Sequence, residues 1–241
     1  MGNELIPAMD AFPVPGPAWL FHGLLVFTFF IHLLFMNITL GGTLMAAMAQ
    51  LGSAGRSGDY RAVLAARLMG VNTYAISLTI TTGIAPLLFV QVLYGQYFYT
   101  ATILLSWVWL FMLVLLMLGY YSAYLYKFKG TPTTGSGGTA WLLLAALFFF
   151  FIAMIQVGVN LIHSQPEKWQ ALASSPLTIM ADPTYFLRLF HFVLSGLALS
   201  GLIITWWAVR QVGRGEDVEI NAAIAAYGWK WALWTLSLIH I

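Results

Sequence analysis

The stretch TAWLLLAALFFFFIAMIQVGVNLIH, residues 139–163, contains no Asp, Glu, Lys or Arg. An α-helix needs about 20 predominantly apolar residues to cross the hydrocarbon core of a bilayer, so this stretch predicts a transmembrane helix. Four other stretches are also long and predominantly apolar, each with at most one charged residue: residues 18–51, 64–94, 98–126 and 185–209. A further apolar stretch begins near residue 222. We therefore expect an all-α bundle of five complete transmembrane helices and a partial sixth.

The composition agrees with this prediction. Of the 241 residues, 61% are hydrophobic and 7% are charged, which is more apolar surface than a soluble domain can bury, so we expect a lipid bilayer around the chain. The net charge of +2 gives no reason to expect a nucleic-acid partner. The absence of cysteine excludes disulfides, iron–sulfur clusters, thiolate-bound zinc and covalently attached c-type haem within this sequence.

The distribution of Lys and Arg predicts the orientation of the bundle. Only Lys168 and Arg188 lie in or beside the second and fourth connecting segments. Seven lie in or beside the first, third and fifth segments: Arg56, Arg61, Arg67, Lys127, Lys129, Arg210 and Arg214. Cytoplasmic loops carry the excess of positive charge. We therefore expect the N-terminus outside, in a multi-pass protein of a bacterial or archaeal cytoplasmic membrane.

His32 and His191 are histidines that interrupt apolar stretches. An ionisable group within a membrane is costly and usually serves a function. A neutral imidazole there is a natural ligand for a metal, and in membranes that metal is often haem iron. We therefore predict that His32 and His191 are axial ligands of haem iron. The alternative for each is a core histidine that hydrogen-bonds a neighbouring helix.

Two further residues are weaker candidates. His22 lies ten residues before His32, which is about 15 Å nearer the outer surface and about 80° around the helix, so one iron cannot bind both. It is either a haem ligand or an ordinary interfacial histidine. Arg188 precedes His191 by three residues. Its guanidinium either binds a haem propionate or pairs with Asp182 in a loop.

Several runs of sequence then suggest a family. They are Ile31–Gly41 (IHLLFMNITLG), Arg67–Asn72 (RLMGVN), Thr82–Ile84 (TGI) and Phe190–Gly196 (FHFVLSG). In order and spacing they resemble the first, second and fifth helices of subunit I of the cytochrome bd-type quinol oxidases. The resemblance covers most of the chain and identifies it as a divergent member of that superfamily.

The resemblance implies specific cofactors and partners. His32 corresponds to an axial ligand in the family's paired high-spin haem site, and His191 to one ligand of the low-spin haem b that receives electrons from quinol. The chain would then be a haem b-binding electron-transfer oxidoreductase of a respiratory chain, with haem d left open. Quinol or cytochrome c would be its redox partner, and a second membrane subunit would accompany it.

One departure from the family limits the expected chemistry. The family carries glutamates in its second and third helices, and residues 64–94 and 98–126 contain no acid. Oxygen reduction needs protons delivered to a buried iron, and carboxylates are the usual relay groups. Whether the chain is an oxygen-reducing enzyme is therefore left open. The alternatives are an electron relay without oxygen reduction and a haem-free transporter or channel.

The end of the sequence also departs from the pattern. Residues Leu236–Ile241 (LSLIHI) resemble the translation of a sequencing adapter, so we expect these six residues to be non-native and exclude His240 from the candidate ligands. We interpret residues 1–241 as a single membrane domain, the N-terminal part of a longer subunit.

Overall fold

The computed structural model describes Pro7 and residues 14–53, 56, 58–129 and 136–240. Every regular element in that part of the chain is a helix. The α-helices are α1 (Ala18–Gly52), α2 (Tyr60–Leu105), α3 (Trp107–Lys129), α4 (Ser136–Ser164), α5 (Trp169–Leu172), α6 (Pro183–Gly213) and α7 (Val218–Ile239). Two short 3₁₀ helices, Pro166–Lys168 and Pro176–Ala181, flank α5.

Five of the described helices are long and apolar enough to cross a membrane, namely α1, α2, α3, α4 and α6. This confirms the prediction of an all-α, multi-pass bundle. The sixth predicted helix is α7, which begins at Val218, four residues before the predicted start near residue 222. The described residues leave out parts of both ends of the chain, namely residues 1–6, residues 8–13 and Ile241.

The boundary between the second and third helices differs from the prediction. We expected a break between residues 94 and 98, but α2 continues to Leu105 and the chain turns at Ser106, which has a φ of 47°. The backbone leaves helical geometry at Tyr94 (φ −134°, ψ 30°), eight residues after Pro86. Residues 95–105 therefore form a short helical segment between a kink and a turn, which periodicity alone does not distinguish from two separate helices.

After this turn α3 runs antiparallel to α2. Lys127, near the end of α3, donates to the carbonyl of Gly70 and to the hydroxyl of Thr73, near the start of α2. Tyr120 lies one to two turns earlier and its hydroxyl is 3.4 Å from that of Ser77. These polar contacts fix the register between the two helices.

Helices α1 and α6 cross at glycines and run parallel. A Cβ on Gly41 would lie 2.0 Å from the carbonyl oxygen of Gly196 and 2.6 Å from the hydroxyl of Ser200, and a Cβ on Gly196 would lie 3.4 Å from the carbonyl of Asn37. Only small residues permit such a close approach of two backbones. The crossing lies in the second half of α1, where all the buried residues of that helix are found, between Thr39 and Ala49.

We call the end of the bundle where α1 and α6 begin and α4 ends the outer end, following the predicted orientation. Contacts between His22 near the start of α1, Tyr94 at the kink and His163 near the end of α4 show that these parts meet there. The first half of α1 is largely exposed on this side of the bundle, as the side chains of Trp19, Val26 and others show.

Candidate functional site

His32 lies between α1 and α2 with its ring turned toward α2. Its Nδ1 is 3.0 Å from the carbonyl oxygen of Thr79. Because a carbonyl can only accept, Nδ1 carries the proton and Nε2 is the nitrogen with a free lone pair. The ring fits against Gly83, where a Cβ would lie 2.9 Å from the imidazole Cε1. The chain therefore sets both the tautomer and the position of the His32 ring.

A line of buried and half-buried polar groups supports this position. The hydroxyls of Thr39 and Thr79 are 2.9 Å apart, and the amide of Asn72 donates to the hydroxyl of Thr43 at 2.5 Å and to the carbonyl of Thr39 at 3.1 Å. We call His32, Thr39, Thr43, Asn72 and Thr79 the polar strip. Hydrogen bonds between membrane helices hold their register, so the polar strip locks α1 against α2 and thereby fixes His32.

Asn72 is almost completely enclosed within the polar strip. Its side chain is 1% exposed, and its Oδ1 is buried and has no hydrogen-bond partner among the described residues. The orientation of this amide is set by its neighbours, because the carbonyl of Thr39 can pair only with the NH₂ group. One acceptor is thus left unpaired in the interior, which is uncommon in folded proteins.

His191 lies on α6 in very different surroundings. Its side chain is exposed, and its ring makes no hydrogen bond with any residue that the structure describes. The nearest polar contact belongs to the backbone, since Ser195 donates its hydroxyl to the carbonyl of His191 at 2.8 Å. Phe190 beside it is 65% exposed. The structure therefore does not bring His191 and His32 together, and each would serve a separate ligand.

Arg188 is exposed and bonds a neighbouring helix. One of its terminal nitrogens donates to Oδ1 of Asn160 on α4 at 3.0 Å. The predicted alternative, a pair between Arg188 and Asp182, is wrong, because Asp182 forms its ion pair with Lys168. Asp182 also accepts from the backbone N–H of Thr184 at 2.8 Å and so caps the start of α6.

The surroundings of Asp182 favour its charged form. The bond from Lys168, together with the bonds from the hydroxyl and backbone N–H of Thr184, holds the pKa of the Asp182 carboxyl well below its ordinary range. The charged carboxylate therefore holds the loop before α6 to the start of that helix at neutral pH. Arg188 takes no part in this pair, and its N–H groups that do not bond Asn160 stay available for a ligand.

The structure also assembles a group of rings that the sequence did not reveal. His22 bonds the carbonyl of Ala18 through Nδ1 at 2.7 Å and the hydroxyl of Tyr94 through Nε2 at 3.1 Å. Because the carbonyl of Ala18 accepts a hydrogen bond from Nδ1, the unprotonated Nε2 accepts a hydrogen bond from the Tyr94 hydroxyl. A bond from His22 to iron would therefore require Tyr94 to release Nε2.

His163 and two further rings complete this group. The His163 ring stacks on Tyr97, with centroids 5.8 Å apart and planes at 26°, and lies 6.3 Å from the ring of Tyr94. Trp169 packs edge-on against Tyr97 at 6.0 Å. We call His22, Tyr94, Tyr97, His163 and Trp169 the outer cluster. Tyr94, at the kink in α2, contacts both His22 and His163 and so places a phenol between them.

These residues fit haem by the chemistry of their donors. His32 offers Nε2, and His191 offers a ring with no protein partner in the described part of the chain. Within that same part, no group of three or more His, Cys, Asp or Glu side chains could hold a metal ion. Comparison of the chain with models of known protein families and with curated proteins finds no match.

Proposed function

We propose that this chain is a haem b-binding electron-transfer subunit of a multi-pass membrane complex, similar to subunit I of the cytochrome bd-type quinol oxidases. One observation carries the proposal: within an apolar helix, the Nδ1–H of His32 is held by the carbonyl of Thr79, which leaves Nε2 free. Metal-ligating histidines almost always donate their other ring N–H to a carbonyl, carboxylate or water. The polar strip and Gly83 keep the ring in that orientation.

His191 is proposed as the ligand of a second haem. An exposed imidazole in a lipid-facing position is costly, and a flat, apolar macrocycle would cover both His191 and the exposed ring of Phe190. Arg188 lies about one helical turn nearer the start of α6, where its free N–H groups would bind a propionate. A second membrane subunit is the proposed partner on this side of the bundle.

Haem bound at these residues would supply one-electron chemistry, with iron cycling between the ferric and ferrous states. The chain's own part is to hold the imidazoles, to exclude water around His32 and to pair the propionate charge. We propose quinol or cytochrome c as the redox partner. Electron transfer suits the chain better than oxygen reduction, because α2 and α3 contain no carboxylate to relay protons.

The proposal is tested by the haem b content of the purified full-length protein, measured as the pyridine haemochrome. We expect at least one haem b per chain, with a lower content in both His32→Gln and His191→Gln. The matched control is Tyr121→Phe, which changes an exposed ring on α3. A protein free of haem after expression with haem supplementation would overturn the proposal and favour the transporter or channel alternative.

A further inference from the structure

The end of the bundle opposite the outer end carries a cavity between two parts of the chain. Its volume is about 560 Å³, which is within the range of small-molecule sites. One wall is the connection from α1 to α2, and the other is the first part of α7. The side chains that matter here are Arg56, Asp59, Tyr60 and Arg61 on the first wall and Glu219 and Ile220 on the second. Two guanidinium groups and a carboxylate therefore line one cavity from opposite walls.

The wall formed by the connection is held by its own hydrogen bonds. Arg61 donates from Nη1 to the carbonyl of Gly52 at 2.7 Å and from Nε to the hydroxyl of Tyr60 at 3.2 Å. Asp59 accepts from the backbone N–H of Arg61 at 2.9 Å and so caps the start of α2. These bonds fix the guanidinium of Arg61 beside the end of α1. Its Nη2 has no hydrogen-bond partner among the described residues.

The wall formed by α7 is anchored to α2 by Arg67. The two terminal nitrogens of Arg67 donate to Oδ1 of Asn221 at 2.7 Å and to the carboxylate of Asp217 at 3.0 Å. Glu219 lies between these two residues in sequence and is exposed. In the described part of the chain, no side chain forms an ion pair with its carboxylate. The neighbouring polar residues therefore hold the helix, and the carboxylate of Glu219 is left for a ligand.

The opposite charges that line the cavity are not paired with one another. Arg56 is exposed, and its Nε donates to the carbonyl of Ser53 at 3.4 Å. Neither Arg56 nor Arg61 lies within ion-pair distance of Glu219. A ligand with only a negative charge would leave Glu219 unpaired, and a ligand with only a positive charge would leave the two guanidinium groups unpaired. A molecule that carries both a phosphate and an ammonium group can pair with both walls.

The cavity lies at a depth where membrane lipids present such groups. Helices α1 and α2 are each long and apolar enough to cross a membrane, and the cavity is at their connected ends. Tyr60 packs edge-on against Tyr227 of α7, with ring centroids 6.4 Å apart, and Tyr227 contacts Trp231 in turn. Tyr and Trp rings are enriched at the level of the lipid headgroups. The aromatic rings beside the cavity therefore indicate the headgroup layer.

We propose that this cavity binds the headgroup of a lipid that carries phosphoethanolamine, with the phosphate at Arg56 and Arg61 and the ammonium at Glu219. The planar guanidinium group of arginine matches the geometry of phosphate oxygens. A primary ammonium offers N–H donors to a carboxylate, whereas a trimethylammonium offers none. Soluble glycerophosphoethanolamine has the same chemistry without the acyl chains. Neither wall contains a proposed haem ligand, so binding at this cavity is independent of the proposed function.

Native mass spectrometry of the purified protein, titrated with lipid, tests the site. The probes are phosphatidylethanolamine, phosphatidylcholine and phosphatidylglycerol with identical acyl chains, whose headgroups carry a primary ammonium, a quaternary ammonium and no cation. We expect phosphatidylethanolamine to bind about threefold more tightly than the other two, as for one exposed charge pair. Glycerophosphoethanolamine should compete only in large excess. Competition at a concentration equal to that of the lipid would overturn the lipid assignment in favour of a soluble phosphate ester.

Two variants test the two walls separately. Glu219→Gln should remove the preference for phosphatidylethanolamine over phosphatidylcholine. Arg56→Gln should weaken the binding of all three lipids about threefold, because each carries a phosphate. The matched controls are Glu216→Gln and Arg214→Gln, which change exposed residues between α6 and α7 that do not line the cavity, and they should leave every affinity unchanged. Equal affinity of the native protein for the three lipids, or a preference that persists in Glu219→Gln, would overturn the inference.

Discussion

His32 and His191 occupy corresponding positions on two parallel helices, yet their surroundings are opposite. His32 precedes Asn37 by five residues, and His191 precedes Gly196, the residue that Asn37 contacts, also by five. The ring of His32 is bonded to α2 and lies against Gly83, whereas the ring of His191 is exposed. The difference teaches that this chain orients one imidazole by itself, whereas the ring of the other has no partner among the described residues.

The largest expected effect comes from the crossing that both histidines share. Gly41→Val would place a Cβ 2.0 Å from the backbone of Gly196, and neither backbone can yield without separating α1 from α6. We expect the unfolding free energy to fall by about 3 kcal/mol, the upper part of the range for overpacked cores, and both proposed haem sites to be disturbed. Denaturant titration of the purified protein measures the loss.

The control for this prediction is Gly23→Val on the same helix, where a Cβ would meet no atom within 4 Å. An unchanged unfolding free energy in Gly41→Val would contradict the glycine crossing.

A smaller and more selective effect is expected from Gly83→Ala. The added Cβ would lie 2.9 Å from Cε1 of His32, so the ring must shift away from the Thr79 carbonyl. We expect the haem signal that depends on His32 to weaken while the signal that depends on His191 persists, which would separate the two sites. Gly70→Ala, at an open position of the same helix, should change neither signal. Equal loss of the His32-dependent and His191-dependent haem signals would contradict the separation of the two sites.

Disruption of the polar strip should destabilise the protein, but less than Gly41→Val does. Asn72→Leu removes two hydrogen bonds between α1 and α2, and such bonds are worth about 0.6 kcal/mol each in membrane proteins. We expect the unfolding free energy to fall by about 1 kcal/mol. Thr81→Val, whose hydroxyl bonds only a carbonyl of its own helix, is the matched control. A variant as stable as the native protein would show that the strip does not hold the two helices together.

The smallest effect concerns the start of α6, the helix that carries His191. The pKa of Asp182 is held below its ordinary range by Lys168 and Thr184, so the folded form binds a proton less readily than the unfolded form. This stabilisation is complete above the ordinary pKa of Asp, about 4, and is lost as the pH falls toward the depressed value. The melting temperature should therefore fall more between pH 7 and pH 3 in the native protein than in Asp182→Asn.

Lys168→Gln removes the main cause of the depressed pKa of Asp182. The fall in its melting temperature between pH 7 and pH 3 should therefore lie between those of the native protein and Asp182→Asn. The same pH dependence in all three proteins would contradict this assignment.

The fold was largely predictable from the sequence because its determinants are local. Residues 139–163 and the other apolar stretches predict helices of membrane-spanning length, and the structure has five of them. The boundary near residue 95 was wrong because the kink at Tyr94 depends on backbone angles that no periodic pattern encodes. The position of the crossing could not be predicted either. Many glycines lie in apolar stretches as Gly41 does, and only Gly41 and Gly196 meet between α1 and α6.

The candidate site was predictable only in part. A histidine inside an apolar run is visible in the sequence, which identified His32 and His191. Their difference in exposure was not visible, because it depends on which helix packs against each face. The alternative that paired Arg188 with Asp182 was wrong for a similar reason: Asp182 is near Arg188 in sequence, but Lys168 binds that carboxylate from across the loop. The bond between His22 and Tyr94 joins residues 72 positions apart.

The most direct test of the account is the reduced-minus-oxidised absorption spectrum of the full-length protein, compared with those of His32→Ala and His191→Ala. We predict a b-type α band in the native protein that disappears in His191→Ala and a separate high-spin signal that disappears in His32→Ala. Two variants with the spectrum of the native protein would contradict the assignment of both ligands, and a native protein without a haem spectrum would contradict the proposed function itself.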